Sequence, residues 1–389
     1  MPIFLIMEEY SMQIEQLLYD SGGNRQKNTV NVLRDKAQFV LIFGAKKLLL
    51  NNRIYDELRD LYPNAYLLGG TTAGEIYNNV ATDNTLSATA VYMEKTKVQF
   101  SSLVIENDKY FEAAADLVAK FAVDDLKHVF IISEGINING SKLVEGLTNS
   151  LPENVTLSGG LAGDGTLYKE TFIIANDYPK QNRLVAIGFY GKHVHFGYAS
   201  IGGWSPFGIE RIITKSKNNI LYELDDKPAL ALYKEYLGEY AAELPAAGLY
   251  FPLMVRSKDH RRTFIRTIQR VDESQQVLIF SGDVPEGYYA KLMRSNSDNI
   301  IDGARQAAQI SLTSLGLNSA NLAILVSCVG RKLVLDQLTS EEIDAARSVL
   351  KMDTVFTGFY SYGEISSPDK KAICELHNQT MTITLITEV

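Results

Sequence analysis

A chain of 389 residues is long for one hydrophobic core, and two domains are expected. Its net charge of −8 excludes nucleic acid as the main partner, because phosphate binding needs a basic face; the basic stretch 258–262 is short and reads as a solvated loop. Cys328 and Cys374 form no disulfide framework, no apolar run reaches the length of a membrane span, and Glu8 and Glu9 behind the apolar start are the wrong flank for export, so a cytoplasmic protein away from membranes is expected.

Residues 12–19 predict a short helix, Ser21-Gly-Gly-Asn24 a turn, and 28–36 a helix leading into the first clear strand, 39–43. A helix over 54–61, stopped by Pro63, is followed by a strand over 65–68 that runs straight into Gly69-Gly70. Alternation over 85–93 and a strand over 98–105 make a hairpin. A helix over 110–121 bridges to the same order again. Here the elements are strand 128–132, helix 142–151 stopped by Pro152, strand 155–157 into Gly159-Gly160, and strands 171–175, 184–190 and 194–199. The offset from Phe39 to Gly69 equals that from Val129 to Gly159, which points to duplicated units.

Different material follows. A loop carries the only tryptophan, Trp204, and then come strand 220–224, helix 228–237 ended by Gly238, strands 249–255, 263–268 and 276–280, and helix 299–315. The polar stretch 215–219 marks the boundary between halves. A looser third copy closes the chain: strand 322–327, helix 340–350 with Ser340 as N-cap, strand 355–357 into Gly358, and a final strand over 373–387. The expected fold is α/β, in two halves built from duplicated strand-helix-strand-hairpin units, with mixed β-sheets and helices packed on their outer faces in a layered sandwich.

In each copy a second glycine and an acid follow the strand: Gly69-Gly-Thr-Thr-Ala-Gly-Glu75, Gly159-Gly-Leu-Ala-Gly-Asp164 and Gly358-Phe-Tyr-Ser-Tyr-Gly-Glu364. Together with Ser133-Glu-Gly-Ile-Asn-Ile-Asn-Gly140 and Gly203-Trp-Ser-Pro-Phe-Gly208, the first two loops resemble the N-terminal part of a FIST sensory protein. Asn219-Ile-Leu-Tyr-Glu-Leu-Asp225, Ser327-Cys-Val-Gly-Arg331, 358–365 and His377-Asn-Gln-Thr-Met-Thr382 resemble its FIST-C part. The resemblance implies an N-terminal extension over 1–27, a FIST-N sensory domain over 28–217 and a FIST-C domain over 218–389. It also implies an input module, not an enzyme, that binds a small ligand such as an amino acid. Its signal would pass in trans to a histidine kinase or a diguanylate cyclase or phosphodiesterase, with homo-oligomerisation left open. One branch, the NosP proteins, consists of stand-alone FIST chains that bind haem and report nitric oxide. A haem-dependent sensor is therefore the alternative reading, and an interaction adaptor without a small ligand the third.

Glycines at strand ends let the backbone approach a ligand and expose N–H groups as an anion nest. An amino acid needs donors for its carboxylate and an acceptor for its ammonium. Gly70, Thr71, Thr72 and Gly160 with Arg331 are candidates for the first, and Glu75, Asp164 or Glu364 for the second. Tyr360 and Tyr362 lie in the third loop. Read as part of one strand, His377 and Asn378 point to opposite faces, either to bond adjacent loops or to touch ligand. Haem needs an axial side chain in an apolar pocket, for which His193, His195 and His377 are the candidates; no Cys-x-x-Cys-His is present for covalent attachment. Cys328 with His377 as base is the weaker, enzymatic reading.

Overall fold

The computed structural model describes residues 11–26, 32–106, 108–367 and 374–389. The first unit comprises β1 (Met12–Tyr19), β2 (Phe39–Gly44), α1 (Lys46–Leu49), α2 (Asn52–Leu61), β3 (Tyr66–Thr71), β4 (Glu75–Tyr77), β5 (Val80–Thr82), β6 (Leu86–Met93) and β7 (Lys97–Val104). The second comprises α3 (Tyr110–Val118), β8 (Leu126–Ser133), α4 (Gly140–Ser150), β9 (Thr156–Leu161), β10 (Ile173–Ala175), β11 (Arg183–Tyr190) and β12 (Val194–Ile201). An inserted sheet follows: β13 (Ser205–Pro206), β14 (Arg211–Lys217), β15 (Ile220–Leu224), β16 (Lys227–Pro228), α5 (Ala229–Leu237), β17 (Leu253–Arg256), β18 (Thr263–Arg266), β19 (Ile268–Asp272), β20 (Val277–Phe280) and β21 (Tyr289–Arg294). The third unit comprises α6 (Ser297–Leu315), β22 (Leu322–Cys328), α7 (Val329–Leu335), α8 (Thr339–Arg347), β23 (Val355–Ser361), β24 (Gly363–Ser366), β25 (Glu375–His377) and β26 (Met381–Glu388).

The fold is mixed α/β, and its three main sheets share one plan. Their orders are β1-β6-β2-β3-β10, β7-β11-β8-β9-β24-β25 and β12-β26-β22-β23-β4-β5. Each is built on a parallel pair whose second strand carries the glycine: β2 on β3, β8 on β9, β22 on β23. Each parallel pair is flanked by strands from other units. β4 of unit one pairs with β23 of unit three, β24 of unit three with β9 of unit two, and β10 of unit two with β3 of unit one. In the opposite sense β7 joins unit two and β12 joins unit three. β1 fills the corresponding place in unit one, and the two ends of the described chain meet there, with Ser11 Oγ donating to the Glu388 carbonyl at 2.9 Å. The Glu388 carboxylate in turn accepts from Glu94 N, Lys95 N and Thr96 Oγ1, tying the β6–β7 turn to β26.

The burial pattern follows from this ring. The runs in β2, β8 and β22 are buried on both faces, as parallel strands covered on both sides require. Phe39, Leu41 and Phe43 join Phe130, Ile132, Ile324 and Val326 in a core between the three sheets, while Val40 and Ile42 pack outward against α1 and α2. The rings of Phe43 and Phe359 stack at 4.6 Å across two units. Helices α3, α4, α6 and α8 cover the outer faces of the other two sheets. At the centre, three backbone bonds close a cycle: Ala73 N to Tyr360 O (2.8 Å), Gly163 N to Thr71 O (2.9 Å) and Tyr362 N to Leu161 O (3.2 Å).

Several sequence expectations are corrected by the fold. Residues 12–19 form strand β1 rather than a helix, because the first sheet needs an outer strand and takes eight residues paired to β6. Of the expected helix over 28–36, only a 3-10 turn, Arg34–Lys36, is present; residues 28–31 lie outside the described residues. Ser340 lies inside α8 and caps nothing, since the helix starts at Thr339 after a 3-10 turn. The final strand is two strands. The chain breaks at Asn378–Gln379, where Gln379 has φ +64, and β25 and β26 belong to different sheets. Strands β14 and β21 carry no clear alternation that would predict them, and the polar stretch 215–219 comprises the last three residues of β14 and the two-residue turn of the β14–β15 hairpin.

Candidate functional site

The carboxyl ends of β2, β3 and β22 open onto two adjoining cavities beside the central cycle of hydrogen bonds. One, of about 350 Å³, is lined by Lys46, Thr72, Gly74, Glu75, Asn84 and Asp164. The other, of about 800 Å³, is lined by Tyr250, Val329, Lys332, Asp336 and Ser340. They share Ala73, Asp83, Gly165 and Thr166. Open α/β sheets place ligands beyond the carboxyl ends of their strands, and this is such a place.

Lys332 lies at the junction. Its ammonium donates to the Ala73 carbonyl at 2.9 Å, pairs with Asp83, and sits 5.3 Å from the centre of the Tyr360 ring. Gly74 has φ +137, which favours glycine there, and a Cβ on it would come within 2.5 Å of Lys332 Nζ, so a side chain would have to displace the lysine tip. Lys332 comes from unit three and Asp83 from unit one, so this ion pair spans a unit boundary. On the far side of the smaller cavity Lys46 pairs with Glu170.

Glu75 and Glu364 occupy equivalent places in two units. Each faces the residue after the strand glycine of a neighbouring unit: Glu75 pairs with Phe359 and Glu364 with Gly160, while Ile173 takes this position against Gly70. Glu75 accepts from Thr72 Oγ1 on one oxygen and from Thr85 N (3.1 Å) and Oγ1 (2.6 Å) on the other. Glu364 repeats the arrangement with Ser361, Thr380 N (3.2 Å) and Thr380 Oγ1 (3.0 Å). Burial outweighs these bonds and pushes Glu75 up to about 7 and Glu364 to about 8, from an ordinary 4.5.

Between 4.5 and those values the folded chain holds protons that the unfolded chain releases, so stability falls as pH rises; the contribution is complete below 4.5 and lost above about 8. His128 acts in the opposite direction below 6.5, because burial pushes it down to about 3. The window from pH 6.5 to 8 therefore isolates the carboxyl groups. There the expected loss is about 2 kcal/mol, from ~1.4 kcal/mol per pH unit. The Glu75→Gln, Glu364→Gln double variant, whose amides mimic the neutral acids, is expected to flatten this slope in calorimetric melts. A slope unchanged from the parent would show that these acids are ionised in the fold.

The remaining sequence candidates divide plainly. Thr72, Glu75 and Asp164 meet at the cleft. The Asp164 carboxylate is already held by Tyr168 N, Lys169 N, Glu170 N and the Tyr362 hydroxyl, with the Tyr168 and Tyr362 rings stacked at 4.2 Å. Gly70 and Gly160 face packed side chains, Ile173 and Val326. Most N–H groups of the glycine loops are already bonded, in the central cycle or to neighbouring carbonyls and hydroxyls, so they form no open anion nest; Thr71 serves the cycle with its carbonyl and accepts from Phe172 N through Oγ1. Arg331 is wholly buried, bonded to Glu342, Gly202 O, Ile201 O and Ile300 O, and Tyr360 donates to the same Glu342. Asn378 accepts from Ser281 Oγ at 2.6 Å and donates to Tyr362 O, joining the inserted sheet to the ring.

Sequence reading missed Lys46, Asp83, Thr85 and Lys332. Lys332 follows Arg331 directly, and one residue along a helix turns a side chain by about 100°. That rotation sends Arg331 into the core and Lys332 to the cleft, and nothing local distinguishes the two.

A profile of the FIST N domain matches residues 38–227, and one of the FIST C domain matches 229–367. The chain belongs to the FIST family. FIST domains are sensory domains of signal-transduction proteins. Among curated proteins, this FIST chain is 23% identical over 274 residues to the uncharacterized protein MJ1623 of Methanocaldococcus jannaschii, covering 66% of this chain and 50% of that protein. It thus spans about half the length of the curated relative it matches. Among solved structures, a chorismatase aligns over 96% of this chain and 98% of its own at 8% identity with a TM-score of 0.35. A cyanuric acid hydrolase from A. caulinodans aligns over 75% of this chain and 99% of its own, at 9% identity and a TM-score of 0.19.

In this FIST chain none of the three candidate haem histidines lines the cleft. His377 is buried with Nε2 against the Ser366 carbonyl; a carbonyl only accepts, so that nitrogen carries the proton and offers no lone pair to iron. His193 bonds the Val389 carbonyl through Nδ1, His195 lies on strand β12, and neither lines a cavity described above. Cys328 is buried at the end of β22, and burial pushes its thiol up, away from the thiolate a nucleophile needs. Among the described residues no helix is long and apolar enough to cross a membrane.

Proposed function

We propose that this FIST chain is a cytoplasmic input module that takes a small zwitterion of amino-acid size in the cleft around Lys332, Asp83 and Glu75. It passes the binding event to a partner of the histidine kinase or cyclic-di-GMP enzyme class. The carrying observation is the Lys332–Asp83 pair across the boundary of units one and three, between two adjoining cavities. A zwitterion offers a carboxylate to Lys332 and an ammonium to Asp83, replacing one ion pair by two. The hydroxyl groups of Thr72 and Thr166 and the Glu75 carboxyl offer further hydrogen bonds. Because the charges stand on different units, an occupant bears on how those units sit together, which is what a signal requires.

Thermal shift against the free amino acids is the test. A ligand at a hundred times its Kd adds about 2.7 kcal/mol, a shift of a few degrees. Lys332→Ala and Asp83→Ala are expected to remove the response to the active amino acid while leaving a cooperative melt. If none of the amino acids at 10 mM or so raises the melting temperature, the reading fails.

A further inference from the structure

A separate cavity of about 410 Å³ lies in the seam between α4 and the inserted sheet, and shares no lining residue with the cleft. One wall is α4, with Ser141, Val144 and Thr148; the other is β18 with Arg262, Phe264 and Arg266, and β25 closes the end. Its apolar surfaces are Val144, Phe264, Pro285 and Leu376.

Arg266 sets the chemistry of this space. It is 4% exposed, and its guanidinium lies 4.1 Å over the Phe264 ring. Its bonds run to Asp283 O (2.9 Å), Ile265 O (3.2 Å), Leu376 O (3.0 Å) and Ser141 Oγ (3.1 Å). Three carbonyls and a hydroxyl occupy four of its five N–H groups, which leaves one Nη2 hydrogen. Among the described residues no carboxylate pairs with it. The acids around the cavity are engaged elsewhere: Glu375 with Arg262 at 2.6 Å, Glu145 with Lys142 at 2.7 Å, and Asp283 with Lys142 at 4.0 Å and Asn139 Nδ2 at 2.7 Å. A buried cation without a direct ion pair is unfavourable, and burial pushes Arg266 down to about 10 against the pull of the nearby Glu375 and Asp283 carboxylates. Ser141 Oγ accepts from both Arg266 and Asp283 N, so its own hydrogen points elsewhere.

We propose that this seam is a second ligand site, for a small organic monocarboxylate with an apolar body. The free Arg266 N–H and the Ser141 hydroxyl receive the carboxylate, and Val144, Phe264 and Leu376 enclose the body. A monoanion fits better than a phosphate dianion, because Glu145, Asp283 and Glu375 stand around the mouth and repel further negative charge. This site is independent of the zwitterion cleft.

The experiment uses benzoate and hexanoate as probes, with inorganic phosphate beside them, in isothermal titration on the full chain. Millimolar or tighter binding of at least one carboxylate is expected, with none of phosphate. Thr148→Trp, which fills the cavity from the helix side without touching Arg266, is expected to abolish it. Arg266→Gln is expected to weaken it about tenfold or more and Ser141→Ala severalfold, as loss of a charged and a neutral hydrogen bond implies. Absence of carboxylate binding to the parent chain overturns the proposal. So does binding that survives Thr148→Trp in a variant with an unchanged melt, and so does phosphate binding as tightly as carboxylate.

Discussion

Gly159→Ala is expected to leave little folded protein, with a loss of about 4 kcal/mol or more, beyond the range of ordinary substitutions. A Cβ there would stand 1.9 Å from the Ile131 carbonyl oxygen. The obstacle is backbone of the neighbouring parallel strand, so no rotamer change relieves it. The same distance is 1.7 Å at Gly69, against Ile42 O, and 1.9 Å at Gly358, against Leu325 O. In all three units the glycine is paired in register with the residue it would strike. Gly69→Ala and Gly358→Ala are therefore expected to behave alike. Gly165→Ala is the control: its φ of +73 makes alanine strained, but nothing lies within 4 Å, so a loss of about 1 kcal/mol is expected in denaturant melts. Equal effects at Gly159 and Gly165 would show that the strand contact yields easily.

The second large effect concerns where the chain can be cut. Expressed apart, residues 1–227 and 228–389 are each expected to aggregate or to melt without cooperativity, and to recover a cooperative melt when expressed together. The first fragment loses β24 and β25 from one sheet and β23 and β26, the partners of β4 and β12, from another. It also loses Leu322, Ile324, Val326, Phe359 and Ile386 from the core between the sheets. At about 2 kcal/mol for each buried side chain the loss is about 10 kcal/mol, as large as the whole stability of a typical protein. Replacing 205–294 by a short flexible linker is expected instead to leave a folded ring, because the neck of the insertion is closed: Ser295 Oγ donates to Gly203 O at 2.6 Å. Its melting temperature should fall, since Asn378 loses Ser281 and Gln379 loses the Leu249 carbonyl. A soluble, cooperatively folded 1–227 fragment would show that the exchanged strands contribute little.

The strand-helix-strand units were legible because they rest on local regularities. Apolar runs such as Phe39–Gly44 and Leu322–Cys328 end in special backbone residues, and Pro63 and Pro152 stop the intervening helices. The equivalence of Glu75 and Glu364 could be seen in the spacing from the strand glycine. The break at Asn378–Gln379 could not, because alternation in 373–387 continues across it while the chain passes from one sheet to another. At the cleft, Asp83 and Lys332 are distant in sequence and ordinary in their surroundings, so only folding brings them together.

Residues 12–19 show the division most clearly. By itself Met12-Gln-Ile-Glu-Gln-Leu-Leu-Tyr19 has the composition of a helix, yet it is a strand, because an outer place in the first sheet is open and Gln16 can bridge Thr89 and the Phe356 carbonyl there. What sequence alone determined about this protein is the repeated unit, its glycine–acid loop and the family to which both belong. Those depend on backbone conformation and on periodic burial, which act over a few residues. The tertiary structure decided which unit each strand joins, that Glu75 and Glu364 are buried, and which lysine faces the cleft. These depend on what lies opposite each residue, and in a ring of exchanged strands the opposite residue belongs to another unit.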